Sequence, residues 1–293
     1  MPTRPPHEPL APVWRGLVDD AAIFPPGDVP LEEAARAHQE RRGERYADLV
    51  GTFVVKDTDL PQLKATPLAL SVVLTGGAGA VAGVASLARK LHLAVEGLEV
   101  ALRDPDDLAG NARRVVAAVD AARADGQLDD HVPVHVELPA APPGAAWLSA
   151  ADEVAAAELR LKFRTGGLAP EAYPSSTTVA AWIDAALDRE TPFKCTAGLH
   201  RAVRHRGDDG FEHHGFLNVL VATRRAFGGA APDEVAGLLE ETDAGAVVAA
   251  ARAEDLAGAR RWFTSFGSCS VSEPRDDLIA LGLDGHDGRS GTA

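Results

Sequence analysis

Residues 159–167 read LRLKFRTGG and residues 192–198 read PFKCTAG. Each segment alternates apolar and polar residues and ends in a turn of small residues, a pattern that is typical of a β-strand. Each segment also carries one lysine, Lys162 or Lys194. The two amines are therefore predicted to lie at the ends of neighbouring strands. A lysine beside another cation has a depressed pKa and can attack a carbonyl group.

The same unit of strand and helix repeats along the chain. Short apolar runs alternate with longer segments of helical period, which indicates βα units around parallel strands. Strands are predicted at 17–24, 49–55, 68–74, 98–103, 132–138, 159–164, 192–197 and 262–268. Helices are predicted at 31–42, 78–91, 105–125, 145–158, 176–189, 216–227 and 233–241, with a short piece at 60–64 and a last helix near Pro274.

Eight such repeats match the size and order of a (β/α)8 TIM barrel, and a doubly wound open sheet is the alternative. We expect a single barrel domain over residues 1–283, with an enlarged segment between the seventh and eighth strands at 199–261. The polar, glycine-rich tail at 284–293 is predicted to be disordered.

Composition excludes several classes of function. The 293 residues carry a net charge of -14, which disfavours nucleic acid and anionic membranes as partners. No apolar stretch approaches the roughly 20 residues that span a bilayer, and residues 1–12 contain no apolar core of a signal peptide. We therefore expect a cytoplasmic protein. Two cysteines are too few for a disulfide scaffold or a four-thiolate zinc site.

Charged residues are predicted to face the inside of the barrel. Alternate side chains of a strand face opposite sides, and the apolar set should meet the helices. The remaining set is Glu99, Arg103, His135, Glu137, Arg160, Lys162, Arg164 and Lys194. Buried charges are costly unless they are paired, so a charged lumen indicates either an active site at the carboxyl ends of the strands or a structural ion-pair network.

The two lysine segments resemble the deoxyribose-phosphate aldolase type of class I aldolase. In that family a lysine on the sixth strand forms a Schiff base and a lysine on the seventh strand lowers its pKa, so the resemblance implies these roles for Lys162 and Lys194. The segment 266–270, FGSCS, is similar to the family's phosphate-binding turn. Glu99 and Asp104 are the candidates for the family's acidic residue on the fourth strand. The whole chain also resembles a group of actinobacterial proteins, from which no activity follows.

These observations predict a lyase that acts through a lysine imine on a small anionic carbonyl or sugar-phosphate-like metabolite. Lys162 is the predicted nucleophile beside Lys194, and Glu137 or His135 is expected to shuttle the proton. Candidate anion-binding residues are Arg103, Arg164, Thr196, Gly198, Gly267 and Ser268. His213 and His214 are predicted to lie on a lid. We expect no cofactor, and a homo-oligomer is compatible with the sequence.

Three alternatives stay open. Either lysine could serve only as a salt-bridge partner of Glu137 or Glu99. A metal-dependent hydrolase or lyase could use imidazole and carboxylate ligands drawn from His200, His205, His213, His214, Asp19 and Asp20, although their spacing is poor. The barrel could also bind an anionic metabolite, or assemble with partners, without turnover.

Overall fold

The computed structural model describes residues 10–63 and 67–284. The predicted tail therefore lies outside the described residues apart from Asp284, and so do residues 1–9. Eight parallel strands close into a barrel. They are β1 (Val18–Asp20), β2 (Val50–Lys56), β3 (Ala69–Leu74), β4 (Ala94–Ala101), β5 (Val134–Glu137), β6 (Arg160–Arg164), β7 (Phe193–Thr196) and β10 (Phe263–Ser268). The predicted (β/α)8 barrel is confirmed, and the open-sheet alternative is wrong because β1 pairs with both β2 and β10.

Helices cover the outside of the barrel. They are α1 (Leu31–Arg41), α2 (Val81–Lys90), α3 (Leu108–Ala124), α4 (Ala145–Ala156), α5 (Ser176–Asp188), α6 (Phe216–Phe227), α7 (Pro232–Glu240), α8 (Ala244–Ala253) and α9 (Ser272–Ala280). Of these helices, all within the described part of the chain, none is sufficiently long and apolar to traverse a bilayer.

The segment between β7 and β10 is enlarged, as predicted. It contains a small antiparallel hairpin, β8 (His205–Arg206) and β9 (Glu212–His213), followed by α6, α7 and α8. The hairpin and α8 were not among the predicted elements. The α8 helix follows Asp243, whose carboxylate accepts a hydrogen bond from the backbone N–H of Ala246 at 2.7 Å, a local N-cap that starts an alanine-rich helix.

An aromatic cluster on the outer face of the barrel fixes the two strands that carry the lysines. The Phe163 ring on β6 lies 5.3 Å from the Trp182 ring on α5 and 5.0 Å from the Phe193 ring on β7. Trp147 on α4 contacts the same phenylalanine at 6.3 Å. Because Phe163 alternates with Lys162 along β6, burial of this ring turns the lysine toward the barrel axis.

We expect Phe163→Ala to lower the free energy of unfolding by about 3–5 kcal/mol, since it opens a cavity among three other rings. Urea denaturation of the purified protein measures this change. The matched control is Ile279→Ala on α9, where the side chain is 43% exposed and the expected loss is about 1 kcal/mol or less. Equal losses in the two variants would contradict the role given to the aromatic cluster.

Candidate active site in the barrel interior

One carboxylate joins the two predicted lysines. Lys162 on β6 and Lys194 on β7 are paired in register and both side chains point into the barrel. Glu99 on β4 lies across from them, with its Oε2 atom 2.7 Å from Lys162 Nζ and its Oε1 atom 2.7 Å from Lys194 Nζ. The side-chain directions expected from strand alternation are those observed for these three residues.

A second carboxylate completes the contacts of each lysine. Lys162 Nζ lies 2.8 Å from Glu137 Oε2 on β5, and Lys194 Nζ lies 2.8 Å from Asp19 Oδ2 on β1. The ion pairs of the lysines with Glu99 and Glu137, which the sequence offered as an alternative, are therefore present in the structure. Asp19 was considered only as a metal ligand, although its strand places it on the inner face beside the lysines.

Hydroxyl groups hold the carboxylates in place. Ser71 donates to Glu99 Oε1 at 2.7 Å, and Ser265 donates to Asp19 Oδ2 at 2.6 Å. Thr52 donates to Asp19 Oδ1 from its backbone N–H at 2.9 Å and from its hydroxyl at 2.8 Å. Gly51 is required beside this contact, because a Cβ atom there would lie 2.5 Å from Asp19 Oδ1. The three hydroxyl residues were not among the predicted site residues, although the inward alternation of their strands could have indicated them.

The carboxylates raise the pKa of both lysines. Burial alone lowers the pKa of Lys162, but Glu99 and Glu137 outweigh it and the pKa rises above its ordinary value. Burial acts in the same way on Lys194, and Asp19 and Glu99 again reverse the shift and raise the pKa. The expectation that Lys194 depresses the pKa of Lys162 is therefore wrong for this state of the protein, because three carboxylates surround the two ammonium groups.

The lysines in turn keep the carboxylates ionised. Burial raises the pKa of Glu99, yet the charges of Lys162 and Lys194 together lower it well below the ordinary value. Burial also opposes ionisation of Glu137, and Lys162 and Arg164 lower its pKa overall. Arg164 contributes through its Nε atom, which donates to Glu137 Oε1 at 2.8 Å. Acids and bases in this network are therefore mutually stabilised as ions.

His135 on β5 is buried beside this network in its neutral form. Burial lowers its pKa to about 3, and the charge of Lys194 contributes in the same direction. Within the described residues, neither ring nitrogen has a hydrogen-bond partner. Glu137 Oε2 lies 2.8 Å from Lys162 Nζ, whereas His135 does not contact that amine, so the geometry favours Glu137 over His135 as the group that exchanges a proton with Lys162.

A cavity of about 650 Å³ opens above the network at the carboxyl ends of the strands. Glu99, Lys162 and Lys194 lie at its base. Of the predicted site residues, the structure also brings Arg164, Thr196, Gly198, Gly267 and His213 to the lining. Gly198 adopts φ +78°, and a Cβ atom there would lie 2.9 Å from the Thr165 carbonyl oxygen, so this turn requires glycine.

Five predicted site residues are absent from the lining: Glu137 and His135, which are described above, and Arg103, Ser268 and His214. Arg103 is exposed because β4 ends at Ala101, and its backbone N–H donates to Asn111 at 2.8 Å. Ser268 is buried, with its hydroxyl donating to the Ser270 carbonyl at 2.8 Å. His214 is buried and its Nε2 atom lies 2.8 Å from the Pro174 carbonyl, while burial lowers its pKa to about 4.

The hairpin covers one side of the cavity. The Tyr173 ring, in the loop after β6, lies 4.9 Å from the Phe211 ring and 4.8 Å from the His213 ring. Asp209 connects the same residues: its Oδ2 atom is 3.1 Å from the Tyr173 hydroxyl and 2.9 Å from His213 Nε2. The sequence predicted that His213 and His214 lie on a lid, whereas it did not indicate the hairpin itself or the contribution of Tyr173 and Phe211.

The six residues considered as metal ligands do not converge. Asp19 contacts Lys194, and Asp20 faces outward and contacts His38 at 3.0 Å. His213 contacts Asp209, and His200 Nδ1 lies 2.8 Å from Glu273 Oε2. Over residues 10–63 and 67–284, no group of three or more histidine, cysteine or acidic residues is arranged to hold a metal ion. The described residues therefore do not fit the metal-dependent alternative.

Fold and site together define a (β/α)8 barrel with an inward pair of lysines on β6 and β7, at the base of a cavity that opens at the carboxyl ends of the strands. Comparison with solved structures finds the same fold in the deoxyribose phosphate aldolase from Aeropyrum pernix, a tetrameric protein. The two chains are 14% identical with a TM-score of 0.56, over 92% of this chain and 93% of the aldolase. The predicted resemblance is thus confirmed at the level of the fold. No protein-family model and no curated protein matches the sequence.

We expect Glu99→Gln to destabilise the protein by about 3–5 kcal/mol, since it leaves two buried ammonium groups without their shared counter-ion. Urea denaturation at pH 7 provides the measurement. The control is Glu96→Gln on the same strand, where the side chain is exposed and the expected change is within about 0.5 kcal/mol. A stable Glu99→Gln protein would show that this carboxylate does not hold the network together.

The burial of His135 predicts how the free energy of unfolding changes at acidic pH. Its pKa is about 3 in the folded protein and about 6.5 in an unfolded chain, so the unfolded state binds the additional proton between these values. Above pH 6.5 the protonation of His135 does not reduce the free energy of unfolding. As the pH drops from 6.5 toward 3, it reduces that free energy by up to about 1.4 kcal/mol per pH unit.

We expect His135→Gln to flatten the dependence of unfolding free energy on pH between about 6.5 and 4.5. The exposed His131 supplies the control, because His131→Gln removes a histidine whose environment changes little on folding. Equal slopes in both variants would contradict burial of His135 as the neutral form. His214 is shifted in the same direction, so part of the slope is expected to persist.

Proposed function

We propose that the protein is an aldolase-like lyase that forms an imine between Lys162 and a small carbonyl compound. The observation that carries this proposal is the pair of buried ammonium groups bound to one carboxylate at the base of a cavity. The likeness to the Aeropyrum pernix aldolase supports the proposal at the level of the fold.

Lys162 is the better nucleophile of the two because its environment contains an accessible proton acceptor. Its partner Glu137 has a side chain that is 14% exposed, and this carboxylate is shared with Arg164. Lys194 is held by Asp19 and Glu99, whose side chains are 7% and 2% exposed. Lys194 is therefore suited to remain an ammonium group and to donate a hydrogen bond to the substrate oxygen.

The reaction begins with proton transfer from Lys162 Nζ to Glu137 Oε2. The neutral amine then attacks the carbonyl carbon, and its proton passes to the carbonyl oxygen to give a carbinolamine. Glu137 returns its proton as the hydroxyl group leaves as water, which gives the protonated imine. In the cleavage direction, a base removes the proton of the β-hydroxyl group, the adjacent carbon–carbon bond breaks to release an aldehyde, and the electron pair passes to the imine as an enamine. Protonation and hydrolysis of the enamine regenerate Lys162 and release the second carbonyl product.

Arg164 is proposed to bind an anionic group of the substrate. Its Nε atom contacts Glu137, and within the described residues the structure gives its two terminal nitrogens no partner. The guanidinium side chain is 40% exposed and lines the cavity. Thr196, Gly198 and Gly267 line the same side and are proposed to contribute further hydrogen bonds to a carboxylate or phosphate.

A binding barrel without turnover is the second candidate. Each lysine has two carboxylate partners, which favours this candidate because a lysine held as an ammonium group is not a nucleophile.

We further propose that the protein self-associates, lies in the cytoplasm and acts on a small anionic ligand. The tetrameric state of the Aeropyrum pernix aldolase supports the first of these.

Imine formation is tested by incubating the protein with acetaldehyde, pyruvate or glycolaldehyde phosphate and reducing with borohydride. We expect the intact mass to increase by one reduced adduct with at least one of these compounds, and peptide mapping to place it on Lys162. Lys162→Ala should lose the adduct, whereas the control Lys90→Ala, at an exposed position of α2, should retain it. Specific ligand binding without any adduct would favour the binding barrel.

The raised pKa of Lys162 predicts how the trapping rate depends on pH. Because the neutral amine is scarce below the pKa, the rate of imine formation before the borohydride quench should rise between pH 7 and 9, by up to about tenfold per unit. Glu137→Gln removes the proposed proton acceptor of Lys162 and should slow trapping at pH 7. Glu96→Gln is the control on the exposed face. An unchanged or faster rate in Glu137→Gln would show that Glu137 does not accept the proton of Lys162.

A further inference from the structure

The cavity has an apolar wall that the proposed chemistry at the lysines does not use. Val54 on β2 and Val73 on β3 line it from inside the barrel, at the positions that follow Thr52 and Ser71 on the inner faces of their strands. Phe24 and the two prolines after it, in the loop between β1 and α1, extend this wall to the mouth. The wall lies on the β1 to β3 side, whereas Thr196, Gly198 and Gly267 lie on the β7 and β10 side.

A second apolar surface faces the cavity from the loop after β6 and from the hairpin. It consists of Leu168, Tyr173 and Phe211. Leu168 is 78% exposed, the largest exposure among the large apolar side chains of the described residues. Tyr173 is held in position, since its hydroxyl lies 2.9 Å from the Gly167 carbonyl and 3.1 Å from Asp209 Oδ2. Its ring packs on that of Phe211.

The size of the cavity agrees with a ligand larger than a simple aldehyde. Its volume of about 650 Å³ falls among pockets that enclose drug-sized molecules. The two amines occupy only the base, and Arg164, the proposed anion-binding residue, lines one side. Contiguous apolar surface around a cavity commonly marks the place where an apolar part of a ligand binds.

We propose that the substrate has two parts, a carbonyl group that reaches Lys162 and an apolar aryl or alkyl group of about six carbons that lies between the two apolar surfaces. This inference rests on the proposed imine chemistry for the position of the carbonyl group. It assigns Val73 and Phe211 as residues that determine specificity. Full burial of a phenyl group contributes about 1.5–3 kcal/mol, equivalent to a preference of roughly tenfold or more.

Two aldehydes with the same reactive end test the inference. Propanal and 3-phenylpropanal share the CH2–CH2–CHO group, so a difference in trapping on Lys162 reports on the phenyl ring. At equal subsaturating concentrations we expect about tenfold faster trapping of 3-phenylpropanal. Val73→Ser and Phe211→Ala should each lower this ratio at least threefold, about 0.65 kcal/mol, while Phe227→Ala, at an exposed position of α6 outside the cavity lining, should leave it unchanged. A ratio of rates is insensitive to a uniform loss of folded protein.

Equal trapping of the two aldehydes would overturn the inference and leave the imine chemistry intact. A ratio that neither cavity variant changes would also overturn it.

An alcohol that cannot form an imine separates the two proposals. We expect 3-phenylpropan-1-ol, but not propan-1-ol, to bind the unmodified protein in ligand-observed NMR, and Phe211→Ala to weaken this binding. If no aldehyde is trapped but the aromatic alcohol binds in this way, the imine chemistry fails and the apolar subsite is supported. If the aromatic alcohol does not bind, the apolar subsite is refuted whether or not an adduct forms.

Discussion

The contact of Glu99 with both Lys162 and Lys194 is the constraint on which the barrel interior depends. Two ammonium groups on adjacent strands repel each other at close range, and without a shared anion they could not both be buried as ions. Asp19 and Glu137 balance the remaining charge, and Arg164 balances the excess of negative charge. Glu99 and these five groups, three cations and three carboxylates in total, thus form a network that is neutral as a whole.

The sequence predicted the fold well because alternation and period are local properties. The eight barrel strands were placed within a few residues, since each apolar run is bounded by turn residues and followed by a helical segment. The inward direction of Lys162 and Glu137 followed from alternation along their own strands. Arg103 obeyed the same rule in the sequence, but β4 ends two residues before it and the rule does not extend beyond the strand.

The electrostatics of the site could not be predicted in this way. Asp19 and Lys194 are 175 positions apart in the chain, and their contact follows only from closure of the barrel between β1 and β10 and from the pairing of β10 with β7. The number of cations was visible in the sequence, whereas the number of carboxylates within hydrogen-bond distance was not. For this reason the predicted lowering of the Lys162 pKa was wrong, although the inward position of the two lysines was as predicted.

In the proposed reaction, the solvation of Lys162 and Glu137 governs whether the network can supply a nucleophile. Transfer of a proton from Lys162 to Glu137 leaves the total charge unchanged and replaces an ion pair by a neutral amine and a carboxylic acid. Desolvation disfavours ions more than neutral groups, so removal of water from the cavity shifts this equilibrium toward the neutral pair. An apolar substituent bound between the Val73 and Phe211 surfaces would reduce the solvation of these two groups when the carbonyl group arrives. On this proposal the apolar part of the substrate would promote formation of the reactive amine in the occupied site, while the ion pairs keep Lys162 protonated in the unoccupied protein.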